Sequence, residues 1–269
     1  MKRVIALVLA LVLATAAMFT FGACGKDVES DAAYITDKGE MIIGITIFAP
    51  MNYYDTDGTT LIGFETDFAK AVCEKIGVSP KFQIINWTAK ETELNAKNID
   101  CIWNGMTIDD DRLASMSIST PYMQNKQVLV VKAENAGLTS VDGLKIAAEG
   151  GSAGANVVEN DAYFQNAQFI EVEDMAAALM EVAAGTSDGC VIDYVTSLGS
   201  IGAGTDYDNL VVVENAKFEL GNDEQYGIAF RKGSDMTEKV NAAISELVAD
   251  GTLATIAAEY KLADQLIAK

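Results

Sequence analysis

The chain has no histidine among its 269 residues. This absence removes Ser-His-Asp and Cys-His nucleophilic catalysis, imidazole acid–base chemistry and most zinc sites. Cysteine is scarce as well. Beyond Cys24 there are only Cys73, Cys101 and Cys190, an odd number with no CxxC pair. Cys73 sits in a helical pattern and the other two in short apolar runs, so buried thiols are expected. A disulfide between two of them stays open if the chain is exported. Positive charge is also short: 19 Lys and Arg stand against 39 Asp and Glu, a net charge of −20. Such a surface repels nucleic acid, which is therefore not an expected partner. Half of the residues are apolar, enough for a real core.

What is present begins at the N-terminus. Lys2 and Arg3 precede an apolar run from Val4 to Phe21, and then Gly22-Ala23-Cys24-Gly25. A short basic end, an apolar stretch and small residues before a cut site make a secretory signal. The run is near the length of a membrane span, and Cys24 decides against that reading. Small residues followed by Cys resemble a bacterial lipobox, in which the Cys becomes the lipidated first residue. The expectation is a signal peptide over 1–23, lipid on Cys24, a tether over 24–31 and a position at the outer face of the cell membrane. A plain signal peptide with an incidental Cys is the competing reading.

The rest is long enough for two domains. Residues 41–47 read as a buried strand. Residues 65–77 read as an amphipathic helix stopped by Gly77. Strands at 81–85 and 99–103 flank a helix at 90–97. The pattern then repeats, with strands at 126–132 and 145–148 and helices at 157–161 and 174–184. Strands follow at 189–192, 210–213 and 226–231, then helices at 235–249 and 252–260. This alternation predicts parallel α/β sheets. Two blocks joined by single strands predict two lobes and a cleft. Lobe 1 is expected over 32–122 plus 228–269 and lobe 2 over 127–223, with hinges near 122–126 and 223–227. Asp55-Thr56-Asp57-Gly58 begins like a calcium loop, but later acidic ligands are out of register, so it reads as a turn. Residues 199–204 are Gly-rich but lack the lysine of a phosphate loop, so they read as an ordinary loop. No metal or cofactor is expected.

Four segments carry the chemistry. They are Gly63-Phe64-Glu65-Thr66-Asp67-Phe68-Ala69; residues 99–112, from Ile99-Asp100 to Asp111-Arg112, running on to Ser119-Thr120-Pro121-Tyr122; Gly150-Gly151-Ser152; and Ser187-Asp188-Gly189-Cys190-Val191-Ile192-Asp193. Tyr226-Gly227-Ile228-Ala229-Phe230 fits behind them. In order and spacing they resemble the extracellular solute-binding proteins of polar amino acid ABC importers, over roughly residues 40–262. The resemblance implies a two-lobed, type II periplasmic-binding-protein-like α/β fold with two hinge crossings. It implies a monomeric receptor, not an enzyme, that binds a free L-amino acid in the cleft and docks on a membrane permease.

A free amino acid presents a carboxylate and an ammonium on one carbon. Arg112 offers a planar charged fork for the carboxylate. Gly105 allows close backbone approach, and Thr107 can donate to the same group. Ser152 opens a predicted helix, where free N–H groups favour an anion. Asp193, at a strand end, can take the ammonium. The resemblance assigns these roles to the same five residues. A surface ion pair for Arg112 and a helix N-cap for Asp193 are the competing readings.

The resemblance also places Phe48 over the ligand and puts Trp87 and Trp103 near the cleft rim; core packing competes for all three. Glu149 stands where Gln is common, and Glu65 where Asp is usual. If both face the cleft, the ligand carries a second cation, as lysine, arginine or cystine does. A solvated face is the plainer expectation for Glu65. Two rival functions share the frame: a cyclohexadienyl dehydratase-like enzyme and a sensory amino-acid-binding module.

Overall fold

A computed structural model describes residues 30–214 and 220–268. Cys24 and the expected signal and most of the tether lie outside the described residues. In chain order the strands are β1 (Glu40–Ile45), β2 (Tyr53–Tyr54), β3 (Leu61–Ile62), β4 (Ser79–Ile84), β5 (Cys101–Ile102), β6 (Met116–Ile118) and β7 (Met123–Lys132). They continue as β8 (Lys145–Glu149), β9 (Gln168–Val172), β10 (Gly189–Asp193), β11 (Leu210–Val212), β12 (Leu220–Tyr226) and β13 (Ala229–Arg231).

Two sheets form the two lobes. One has the order β4-β1-β5-β13-β6, the other β11-β7-β10-β8-β9 with β12 also paired to β7. Both are mixed, which corrects the expectation of parallel sheets. β1, β4 and β5 are parallel, but β13 runs antiparallel to β5 and β6. In the second sheet β7 is antiparallel to β10, β11 and β12. The chain changes lobe between β6 and β7 and again between β12 and β13, all four of them in antiparallel pairs. The expected strand over 226–231 is in fact two, because the chain leaves one sheet at Tyr226 and joins the other at Ala229.

The two crossings lie side by side. Tyr226 pairs with Met123, Gln225 with Gln124 and Glu224 with Asn125. Ser119 N donates to Ile228 O at 2.9 Å, and Ser119 Oγ accepts from Ile228 N at 2.9 Å. The C-terminal segment joins them, with Ile267 N donating to Tyr122 O at 3.0 Å.

The helix Phe64–Ile76 buries Phe64, Glu65, Phe68, Ala69, Val72 and Cys73, one stripe at helical spacing. Gly77 ends it in the left-handed region (φ 83°), its N–H donating to Cys73 and Glu74 carbonyls. Cys73, Cys101 and Cys190 are buried free thiols. A helix missed in the sequence, Asp31–Lys38, opens the described chain. Arg231 holds it by a 2.8 Å ion pair to Asp31.

Candidate ligand-binding site

The ends of β5, β8 and β10 face one cleft between the lobes. Trp87, Gly105, Thr107, Arg112, Glu149, Ser152 and Asp193 line a single inner cavity of about 10 Å3 there. It adjoins a wider one of about 790 Å3, and both are lined by Thr107, Arg112 and Ser152. Two candidates fall elsewhere. Trp103 is a core residue, fully buried and edge-on to Phe68 with ring centroids 5.0 Å apart. Phe48 is buried beside Gly105: a Cβ on that glycine would sit 3.1 Å from the Phe48 ring and 3.3 Å from the Tyr226 ring. Gly105 also has φ 56°, so the close approach and the left-handed backbone both call for glycine.

Arg112 is placed by the helix Asp110–Ser115. Asp109 caps that helix by accepting from Arg112 N at 2.8 Å, and its other oxygen lies 3.3 Å from Arg112 Nε. The surface ion pair therefore exists, but it grips the Nε edge. The outer fork points into the cleft, Nη1 donating to Thr107 O at 2.7 Å and Nη2 reaching Gly151 O at 3.4 Å. Five donors with three partners leave hydrogens on the fork for a carboxylate. Ser152 caps the helix Ala153–Asn160, its Oγ accepting from Ala155 N at 3.0 Å.

Asp193 precedes the helix Tyr194–Ser200 but makes no side-chain cap. Asn125 does that work, its Oδ1 accepting from Val195 N at 3.3 Å. The Asp193 carboxylate instead accepts from Asn125 at 3.1 Å, from Gln127 and from the Tyr226 hydroxyl at 2.7 Å. Burial raises its pKa against these donors. Glu149 ends β8 at 2% exposure, with Oε1 unpartnered. Burial, then the charges of Asp193 and Asp174, push it up to about 8.

Glu65 corrects the expected solvated face. It is buried, both oxygens accept from Gly105 N at 2.9 and 3.0 Å, and the Tyr122 hydroxyl donates to Oε1. Burial raises it to about 7 despite those bonds. Sequence reasoning missed further cleft residues. Lys90 is buried, with Nζ over the Trp87 ring at 4.9 Å and donating to Gly151 O at 3.1 Å. Burial, then the Arg112 charge, lowers it to about 8. Glu224, Asn125 and Gln127 surround Asp193 from the crossing strands. An adjacent buried cation and carboxylate cluster of this kind suits a small ligand bearing both charges.

The sequence profile of the bacterial extracellular solute-binding proteins, family 3, matches residues 41–263. The L-cystine-binding protein TcyJ of Escherichia coli is 28% identical over 236 residues, 86% of this chain and 85% of its own. A Streptococcus pneumoniae ABC uptake transporter substrate-binding protein, solved with bound histidine, is 29% identical with a TM-score of 0.76, covering 86% of this chain and 96% of that one. An ancestral arginine-binding protein bound to arginine is 29% identical with a TM-score of 0.74, covering 82% and 98%. The match spans nearly all the described residues and both sheets, and the chain belongs to the bacterial extracellular solute-binding proteins, family 3.

Proposed function

We propose that this chain is an extracytoplasmic receptor that takes a free L-amino acid between its lobes and delivers it to an ABC importer. The observation that carries the reading is the opposition of Arg112 and Asp193 across one small cavity. The ligand carboxylate lies on the Arg112 fork, helped by Thr107 and Ser152, while the Gly105 N–H is held by Glu65 and only lets the ligand approach closely. The ammonium lies on Asp193. Trp87 supplies aromatic contact, and Phe48 packs behind Gly105. The unpartnered oxygen of Glu149 takes a second cation on the ligand, which favours a basic or cystine-like side chain.

The inner cavity has room for about one water, so lobe 1 (32–122 plus 228–269) and lobe 2 (127–223) part to admit the ligand and close upon it. Lipid on Cys24 would hold the monomeric receptor beside its permease. The reading is a receptor rather than a dehydratase on the same frame; turnover of arogenate or prephenate by the purified protein would reverse it.

Thermal-shift measurements on protein refolded free of ligand test this directly, with L-arginine, L-lysine, L-histidine, L-glutamine and L-cystine as probes. At least one should raise the melting temperature by several degrees, and Arg112→Ala should abolish the shift. No shift from any of them, nor from the remaining amino acids, would end the proposal.

A further inference from the structure

We propose that Glu224 is a second anionic arm of the ammonium seat, acting with Asp193 to select ligands that carry a cation on the α-carbon. The inference rests on the amino-acid receptor reading. Glu224 lies on β12 opposite Asn125 of β7, where the chain crosses between lobes. Its Oε2 accepts from Asn125 Nδ2 and from Gln127 Nε2, each at 2.9 Å. The same two nitrogens donate to Asp193 Oδ1. Each amide NH2 has two hydrogens, so each gives one to either carboxylate. The two oxygens are then roughly 5 Å apart, the span across one NH2 group at ordinary hydrogen-bond lengths.

Two carboxylates this close, Asp193 buried and Glu224 half-buried, repel unless a proton or a cation lies between them. Arg112 bears on both electrostatically, yet its own ion pair is with Asp109 at 3.3 Å. An ammonium with three N–H donors can span two oxygens at that separation. Glu224 is also open to the cleft: its Oε2 is 3.5 Å from Thr107 Oγ1, and it lines the outer cavity with Thr107 and Arg112. Burial, then the Asp193 charge, raises Glu224 to about 7, so the empty pair is poised to hold a proton that an arriving cation replaces. A ligand without that cation leaves the repulsion in place.

Glu224→Gln keeps the side-chain volume and an acceptor for Asn125 and Gln127, and removes only the charge. Isothermal titration with L-arginine, L-histidine, L-glutamine and L-cystine should show at least about a tenfold loss of affinity for each probe that binds the wild type. The ligand-free variant should melt no lower than the wild type, since the like-charge contact is gone. Glu224→Asp, a shorter arm with the charge kept, should retain part of the affinity. Binding by Glu224→Gln within about twofold of wild type would overturn the second arm and leave the receptor reading standing. A melting temperature well below wild type would mark Glu224 as a structural residue and overturn it too. No binding to the wild type would remove both.

Discussion

Glu149 has no hydrogen-bond partner for one oxygen and sits at the end of a buried strand, so its ionised form is costly in the empty protein. Its folded pKa of about 8 lies above the unfolded value of 4.5. Between those values the folded state binds more protons than the unfolded one, so stability falls as pH rises. The cost is absent below the lower value and complete above the upper one, at about 1.4 kcal/mol for each unit of upward shift. Glu65 and Glu224, both raised to about 7, act with the same sign and reach full cost near neutrality. Ligand-free protein should therefore be most stable in mild acid and lose stability toward pH 8. Glu149→Gln should melt higher than wild type at pH 8, on the order of 10 °C, with the difference closing near pH 5. A variant that melts lower at pH 8 would show that Glu149 is compensated in a way its geometry does not indicate. The burial of Glu65 was legible in principle. The helical spacing that buries Ala69 and Val72 puts Glu65 on the same face, but a glutamate is so seldom buried that its type masks its position.

Elements defined by apolar spacing came out of the sequence within a few residues: the helices Phe64–Ile76, Met175–Ala184 and Met236–Ala249, and the strands β1, β4 and β10. Strand direction did not, because it depends on pairing partners far along the chain. β12 was illegible for a further reason. Its sequence, Leu-Gly-Asn-Asp-Glu-Gln-Tyr, has no apolar alternation, and only its pairing with β7 makes it a strand. Glu224 was missed with it. The helix Asp31–Lys38 is too short for a clear apolar period; it buries Ala32 and Ile35 in the core and is further fixed by tertiary charge contacts. Arg231 pairs with Asp31, while its Nη1 donates to Leu94 O and Ile99 O at 3.1 and 2.9 Å. Lys38 closes on buried Asp100 at 2.6 Å. Asp31→Ala removes one partner from a mostly buried pair, at an expected cost of about 3 kcal/mol. The melting temperature should drop by roughly 10 °C, while affinity stays within about twofold because Asp31 is remote from the cleft. An unchanged melting temperature would mean that the helix is held by something other than this pair.

At the scale of the whole molecule, hydrogen bonds cross from lobe to lobe at several places among the described residues. Lys90 and Arg112 of one lobe both reach the Gly151 carbonyl of the other. Ser200 Oγ donates to Ala49 O at 3.2 Å. Beside it Gly199, in the Gly-rich stretch that reads as a loop in the sequence, ends a helix and lies against Pro50. A Cβ at 199 would sit 2.7 Å from Pro50 Cδ and 2.8 Å from its N, too close for the lobes to meet as they do. The same methyl group would favour the helix by up to about 1 kcal/mol. Gly199→Ala should therefore separate closure from folding. The ligand-free variant should melt at or slightly above wild type, yet bind amino acid about tenfold or more weakly, since ligand affinity is drawn from the closed state. Small-angle scattering should show less contraction on adding saturating ligand than wild type shows. Wild-type affinity in this variant would mean that the lobes close along another path, and that the contact at Pro50 does not set the closed state.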